Sequence, residues 1–429
     1  MKLGQQFALR PCFRKTILTV FKYDIMFSES LLKIMTTLPI YMDDHATTRV
    51  DPRVVEVMLP YLSTVFGNPG SVNHCFGWDA QQAVDASRRS IATGLHAQPK
   101  DILFTSGATE SNNLALRGVC LRNQHKGKHV ISVLTEHRAI LDPLDRLRRR
   151  DDFDVTLLPV THHDPATIGT IDLQRLEDAI RPDTVLVSVM FANNEIGTIQ
   201  PVAEIGKLCR KHNVLFHTDA TQAVGRLPID VDAMHIDLMS FSAHKFYGPK
   251  GVGGLYVRRD SPRPKLLPLV DGGGQEGGLR AGTLNPAGIV AMAHALELAL
   301  AELQTESTRL SELRNLLYSQ LTSKFSDLLL NGPNLIDLKH RLHNNLNVCF
   351  GDVDGEALMM STPDLAISSG SACSSTNPEP SHVLRSIGRS DDETRASLRF
   401  GLGRFTTPAD IDVAVRLLTT SIQRLRAMH

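Results

Sequence analysis

From residue 40 onward, short apolar runs alternate with amphipathic segments, and this alternation limits the fold more than any other feature of the chain. Residues 101–105, 129–134, 155–158, 184–190, 214–218 and 254–257 read as strands, and 236–239 as a further buried one. Helical spacing lies between them, at 80–96, 173–180 and 202–212. Strands apolar along their length are covered on both faces, so the pattern predicts a mostly parallel sheet between two helical layers. After Pro286 the texture changes. Residues 289–325 are rich in Ala, Leu and Glu and read as helix with a break. Residues 344–350, 366–368 and 396–400 read as strands of a second, smaller α+β domain. A last helix runs from Pro408 to about Ala427, with Thr407 as its N-cap.

The chain has 429 residues, long enough for two or three domains. Its 46 Lys and Arg balance 46 Asp and Glu, so no broad basic surface for nucleic acid is expected. No apolar run approaches the roughly 20 residues that span a bilayer, and no membrane association is expected. The six cysteines (Cys12, Cys75, Cys120, Cys209, Cys349, Cys373) are scattered without metal-type pairing, which suits a reducing compartment. Residues 1–36 are basic and mildly amphipathic, with methionines at 26 and 35. They read as an extension outside the working protein, disordered or ahead of the native start. A transit peptide is the alternative, against which Asp24, Glu29 and the few serines count. A cytoplasmic location is therefore expected, with the mitochondrial matrix as the alternative.

Each predicted strand of the first domain ends in polar residues, and in open α/β sheets ligands bind at the carboxyl ends of the strands. Ser240-Phe-Ser-Ala-His-Lys245 carries Ser242, His244 and Lys245 out of a buried strand into a glycine-rich turn. An exposed lysine would also fit there, but a lysine flanked by two hydrogen-bonding side chains suits a Schiff base with pyridoxal phosphate. Ser106 to Asn113 opens a helix with a small hydroxyl-rich turn that would either seat a phosphate or form an ordinary N-cap. His137 after the second strand could stack on a flat ring or hold structure. Asn194 could bind an anionic oxygen or simply make a turn. Asp219 ends a buried strand and needs a partner, since burying a lone carboxylate is costly; a protonated pyridine nitrogen is one.

In order and spacing, Tyr41-Met-Asp-Asp-His-Ala-Thr-Thr48, Phe66-Gly-Asn-Pro69, Thr105-Ser-Gly-Ala-Thr-Glu110, Asn193-Asn-Glu-Ile-Gly197, Asp219-Ala-Thr-Gln222, Ser240 to Lys245 and Ser368-Ser-Gly-Ser-Ala-Cys373 resemble the class V aminotransferase superfamily. Within it they resemble the cysteine desulfurases of the iron–sulfur-cluster and nitrogen-fixation type. The resemblance implies the α/β fold of the aspartate aminotransferase type I transferases. Residues 51–290 would form the large cofactor domain with its mostly parallel sheet, 37–50 a joining segment, and 291–429 the small α+β domain. It further implies Lys245 as the Schiff-base lysine, Asp219 on the pyridine nitrogen, Gln222 on the phenolic oxygen, and His137 stacked on the ring and moving protons. Ala108, Thr109, Ser242 and His244 would hold the phosphate, and Thr283 would reach the phosphate of a partner subunit in a homodimer. Asn194, also beside the cofactor, and Arg399 would bind the substrate carboxylate.

Cys373 distinguishes the desulfurases from plain aminotransferases. It lies in a loop (368–381) of small residues and two prolines, which resembles the long-loop group. The implied activity converts L-cysteine to L-alanine and leaves a persulfide on Cys373 for a sulfur acceptor or a cluster scaffold protein. The products would serve iron–sulfur assembly or tRNA thiolation. No metal is expected in the resting enzyme, although Cys373 is suited to ligate an iron–sulfur cluster in transfer. The alternatives are a selenocysteine lyase, another enzyme of this superfamily, or a non-catalytic scaffold on the same fold.

Overall fold

The computed structural model describes residues 39–261, 263–336, 339–369 and 380–428. Residues 1–36 and Cys373 lie outside the described residues. Strand β1 (Ile40–Tyr41) belongs to a second, smaller assembly. The next seven strands form one sheet: β2 (Ile102–Thr105), β3 (His129–Val133), β4 (Asp154–Leu158), β5 (Thr184–Ser188), β6 (Leu215–Asp219), β7 (Leu238–Ser242) and β8 (Gly253–Val257). Their order is β2-β8-β7-β6-β5-β3-β4. Only β8 runs antiparallel to its neighbours, and every other pairing is parallel. The expected α/β architecture is thus observed. Each strand but the edge strand β4 is buried almost throughout, as strands apolar on both faces must be.

Glycine is required where β8 passes the turn after β2. A Cβ on Gly253 would lie 2.6 Å from Gly107 Cα and 2.6 Å from the Phe241 carbonyl oxygen. The absence of side chains lets backbone meet backbone at the carboxyl edge of the sheet.

The long helical segment begins at Pro286, capped by the Asn285 side chain on the Gly288 N–H. It comprises two helices, Pro286–Ala301 and Leu303–Lys324, bent by 72° at Glu302. The first is apolar nearly all round and packs into the large core with Cys75–Gly94, an arrangement that only a fully enclosed helix tolerates. The second packs into a separate core with Met42, Leu346, Phe400, Ile411 and Leu418. That core lies against an antiparallel sheet of β9 (Leu329–Leu330), β10 (Asn345–Cys349), β12 (Ser368–Ser369) and β13 (Ser397–Gly401), ordered β12-β13-β10-β9. Strand β11 (Leu365–Ala366) pairs in parallel with β1. The last helix is Pro408–Arg426, and Thr407 caps it in a reciprocal box with Asp410. Among the described residues no single helix is long and apolar enough to cross a membrane.

Candidate active site

β7 runs three residues further than the sequence pattern indicates, to Ser242, and Ala243–Lys245 then make a single 3-10 turn. Lys245 therefore leaves the sheet at its carboxyl edge. Its Nζ donates to the carbonyl oxygens of His45 (2.6 Å) and Ala46 (2.7 Å). The same stretch is laced to the turn: the Thr48 N–H and hydroxyl both donate to the His244 carbonyl, and the Asp51 N–H to that of Tyr247. Both acceptors are backbone carbonyls of the 40–48 stretch.

The helix Ala108–Asn123 starts at Gly107, which as N-cap offers no side chain. The ordinary N-cap reading of Ser106 is therefore not what is observed, and the first N–H groups of this helix receive no side-chain cap. Such an end favours an anion through its N–H groups and its dipole. Ser242 Oγ faces it, since a Cβ on Gly107 would approach that oxygen to 3.5 Å. His244 Nδ1 is 3.1 Å from Thr47 Oγ1. Burial, then the charge of Lys245, lowers the His244 pKa to about 4, so its ring is neutral at pH 7.

Asp219 ends β6, buried, with Oδ2 accepting from Asn112 Nδ2 (2.7 Å) and Oδ1 from the Thr221 N–H (2.9 Å). Beneath it, His217 lies between Ser188 and Ser240, and burial lowers its pKa to about 4. Burial, then Asp219, pushes the Glu136 carboxyl well above its usual range. His137 caps the helix Arg138–Arg150, with Nδ1 accepting from the Ala139 N–H (3.0 Å). That bond assigns the ring proton of the neutral form to Nε2. Gln222 is engaged on its neighbours, donating to the His45 carbonyl (3.0 Å) and accepting from Arg226.

Arg399 lies on β13, paired with Ser368 of β12. It donates through Nη2 to Asp43 Oδ1 (2.7 Å) and through Nη1 to the Asn194 carbonyl (3.1 Å). Its Nε is buried without an acceptor among the described residues. Next to Asn194, Glu195 accepts from the Ser381 hydroxyl (2.5 Å), and burial raises its pKa to about 7. Ser368 and Ser381, the ends of the expected cysteine loop, are thus each fixed to this wall of the crevice.

Thr283 is exposed and faces elsewhere. It lines a concavity of about 410 Å³ with Asn68, Pro69, Arg88, Gln275 and Glu276. Nearby in sequence to that rim, Phe66, Val72, Phe76 and Trp78 form an exposed apolar group, each at least half accessible. The sequence reading missed Asn112, Asp43 and the carbonyls of His45 and Ala46. Asp43, His45 and Ala46 lie inside a motif quoted for the family; Asn112 lies two residues beyond one, four residues after the helix start, the spacing that shares a face.

The chain matches the family model "Aminotransferase class-V" over residues 40–413. It is 51% identical over 391 residues to the cysteine desulfurase IscS of Anaeromyxobacter dehalogenans, covering 91% of this chain and 94% of the relative. It is 50% identical over 389 residues to the IscS of Methylococcus capsulatus, with the same two coverages. Among solved structures, a NifS-like protein superimposes with a TM-score of 0.82 at 34% identity, over 90% of this chain and all of the other. SspA in complex with cysteine does so with 0.73 at 37%, over 86% and 99%. The fold is therefore that of the NifS-type transferases, a pyridoxal-phosphate-dependent group. On sequence, fold and the order of its site motifs, the chain belongs to the class-V aminotransferase family and, within it, to the cysteine desulfurases.

Proposed function

We propose that this protein is a pyridoxal-phosphate-dependent cysteine desulfurase that works as a homodimer. The observation that carries the reading is the convergence of three groups at the carboxyl ends of β2, β6 and β7. They are an uncapped helix N-terminus facing Ser242, the Asp219 carboxyl group held by Asn112, and the Lys245 amine on two carbonyls. Phosphate, pyridine nitrogen and aldehyde need an anion seat, an acid partner and an amine, so the residues fit the cofactor.

When bound, pyridoxal phosphate supplies the electron sink that lets the α-proton and then the sulfur leave the amino acid. Lys245 Nζ is the amine that would hold it. Ala108 and Thr109 N–H groups, Ser242 and His244 would seat its phosphate, joined by Thr283 from the second copy. Asp219 would face the pyridine nitrogen, and Gln222 would turn its amide to the phenolic oxygen. Arg399 and Asn194 orient the substrate carboxylate; Arg399 still has Nε to offer. Lys245 and His137 Nε2 would move the α-proton. The Cys373 thiolate then attacks the substrate sulfur. A new S–S bond forms, the substrate C–S bond breaks, and the carbon skeleton gains a proton. The sum is L-cysteine plus the Cys373 thiol giving L-alanine plus a Cys373 persulfide. An acceptor protein of cluster assembly or tRNA thiolation would take the sulfur.

The exposed apolar side chains of Phe66, Val72, Phe76 and Trp78, which flank in sequence the residues 68–70 that line the Thr283 concavity, support burial against a second copy. Cys75, Cys120, Cys209 and Cys349 are free thiols, which suits the reducing cytoplasm. The test is incubation with L-cysteine, measuring alanine and alkylation-trapped persulfide. Equimolar alanine and Cys373 persulfide support the reading, and Lys245→Ala should abolish both. Alanine without enzyme-bound sulfur would transfer the assignment to a lyase, and intact cysteine would reject it.

A further inference from the structure

The segment Asp271 to Gly278 is built for glycine, with Gly274, Gly277 and Gly278 all at positive φ. Glu276 sits among them at φ 50° and ψ 38°, a left-handed conformation costly for a residue with a long side chain. The sequence neighbours show that glycine was to hand, so the side chain must be needed. That side chain is only 2% exposed. Oε1 accepts from Arg88 Nη2 (2.6 Å), and Oε2 from Arg88 Nη1 (2.9 Å) and the Phe104 N–H (2.8 Å) of β2. Arg88 is fixed in turn, stacked over the Phe104 ring at 4.4 Å and donating to the Ile102 carbonyl.

From this anchor the chain runs directly to Thr283. The Gln275 side chain accepts from the Gly282 N–H (2.8 Å), which ties the far end of the loop to the residue before the anchor. Arg280 pairs with Glu110 (2.9 Å), and Glu110 accepts from the Ser106 N–H at the mouth of the phosphate-facing helix. Thr283 is thus held through its loop to the large sheet rather than by contacts of its own side chain.

We propose that Glu276 is a positioning residue: clamped by Arg88 and the β2 backbone, it sets the 275–283 loop so that Thr283 can reach the cofactor phosphate of the second copy. The inference rests on the reading of Thr283 as that phosphate contact. It assigns the buried pair a part in cofactor retention at the neighbouring site.

The test is a double-mutant cycle on the apo-dimer, titrated with pyridoxal phosphate and followed by intrinsic fluorescence. Glu276→Gln and Thr283→Val are expected each to weaken cofactor binding about tenfold, the scale of one hydrogen bond to a charged group. The double variant should be no weaker than the weaker single one, since the first change acts through the second residue. Glu276→Gly removes the backbone strain while deleting the carboxylate, and it should weaken binding as Glu276→Gln does. Losses that multiply in the double variant would overturn the proposal, because they would mean a general structural effect. Unchanged affinity in Glu276→Gln beside a weakened Thr283→Val would overturn the Glu276 assignment alone. Unchanged affinity in Thr283→Val would overturn both it and the Thr283 reading.

Discussion

Arg399 and Asp43 stand 356 positions apart in the chain and meet in a 2.7 Å ion pair, with Arg399 almost wholly buried and Asp43 partly open. One arm of the guanidinium is therefore committed to the protein before any substrate arrives. The pair fixes the plane of the fork, and Nε remains without an acceptor among the described residues, where the proposed substrate carboxylate would meet it.

Asp43→Asn should keep an acceptor at this place but loosen the plane of the fork. The expectation is a KM for L-cysteine raised about tenfold with kcat little changed, as loss of uniform substrate binding requires. Steady-state alanine formation measures both. A fall in kcat at constant KM would place Asp43 in the chemical step instead.

Asp219→Asn preserves shape and the Asn112 neighbourhood but removes the acid partner of the pyridine nitrogen. Turnover should fall about tenfold to a hundredfold, the worth of a charge-assisted hydrogen bond, and the cofactor should bind more weakly. Stopped-flow absorbance and alanine release are the measurements. An unchanged rate with an unchanged visible spectrum would speak against the assignment.

Cys373→Ser should separate binding from sulfur release. The groups assigned to the cofactor and to the carboxylate lie elsewhere in the chain, so the spectrum should still respond to L-cysteine. A serine hydroxyl is a far poorer nucleophile toward sulfur and cannot store it as a persulfide, so alanine should not accumulate. Near-normal alanine production would remove Cys373 from the mechanism.

Glu195 supplies a pH signature. Burial raises its folded pKa to about 7 from the ordinary glutamate value of 4.5. Between those values the folded state holds a proton that the unfolded state has released, so stability falls as pH rises from about 4.5 to 7 and levels off above. Glu195→Gln removes this proton linkage. Its urea midpoint should gain on that of the parent protein as pH rises from 5 to 7, and the difference should flatten beyond. Parallel midpoints across that range would show that Glu195 does not titrate there.

The layered fold was legible because burial on both faces writes itself into strands such as 184–188 as unbroken apolar runs, and because Thr407 and Asp410 form a recognisable helix start. The positions of Lys245, Asp219 and the 106–113 turn at the carboxyl edge of the sheet were legible because each follows or ends such a strand. Asp43 was not, since its partner is set by register between β13 and a segment hundreds of residues away, and nothing local records that. Glu276 was hidden for a different reason: in Gly-rich sequence a left-handed glutamate looks like any loop residue, and only its φ and its buried carboxylate reveal the strain. The end of β7 was placed three residues short because Ser240 and Ser242 look like turn residues. Their hydroxyls are in fact used inside the sheet, Ser240 on His217 and Ser242 facing Gly107.

The carbonyls that hold the Lys245 ammonium belong to a stretch that also reaches the smaller assembly: β1 pairs with β11, and the Gly401 N–H donates to the Met42 carbonyl (2.7 Å). Residues 40–48 are therefore a strap with one end sewn into the C-terminal core and the other laid across the reactive amine. A proteolytic nick or an inserted tag at Ala46–Thr47 would be a lesion of the active site although it falls near one end of the described chain. A shift of the smaller core would likewise reach the hydrogen bonds of the lysine through this strap.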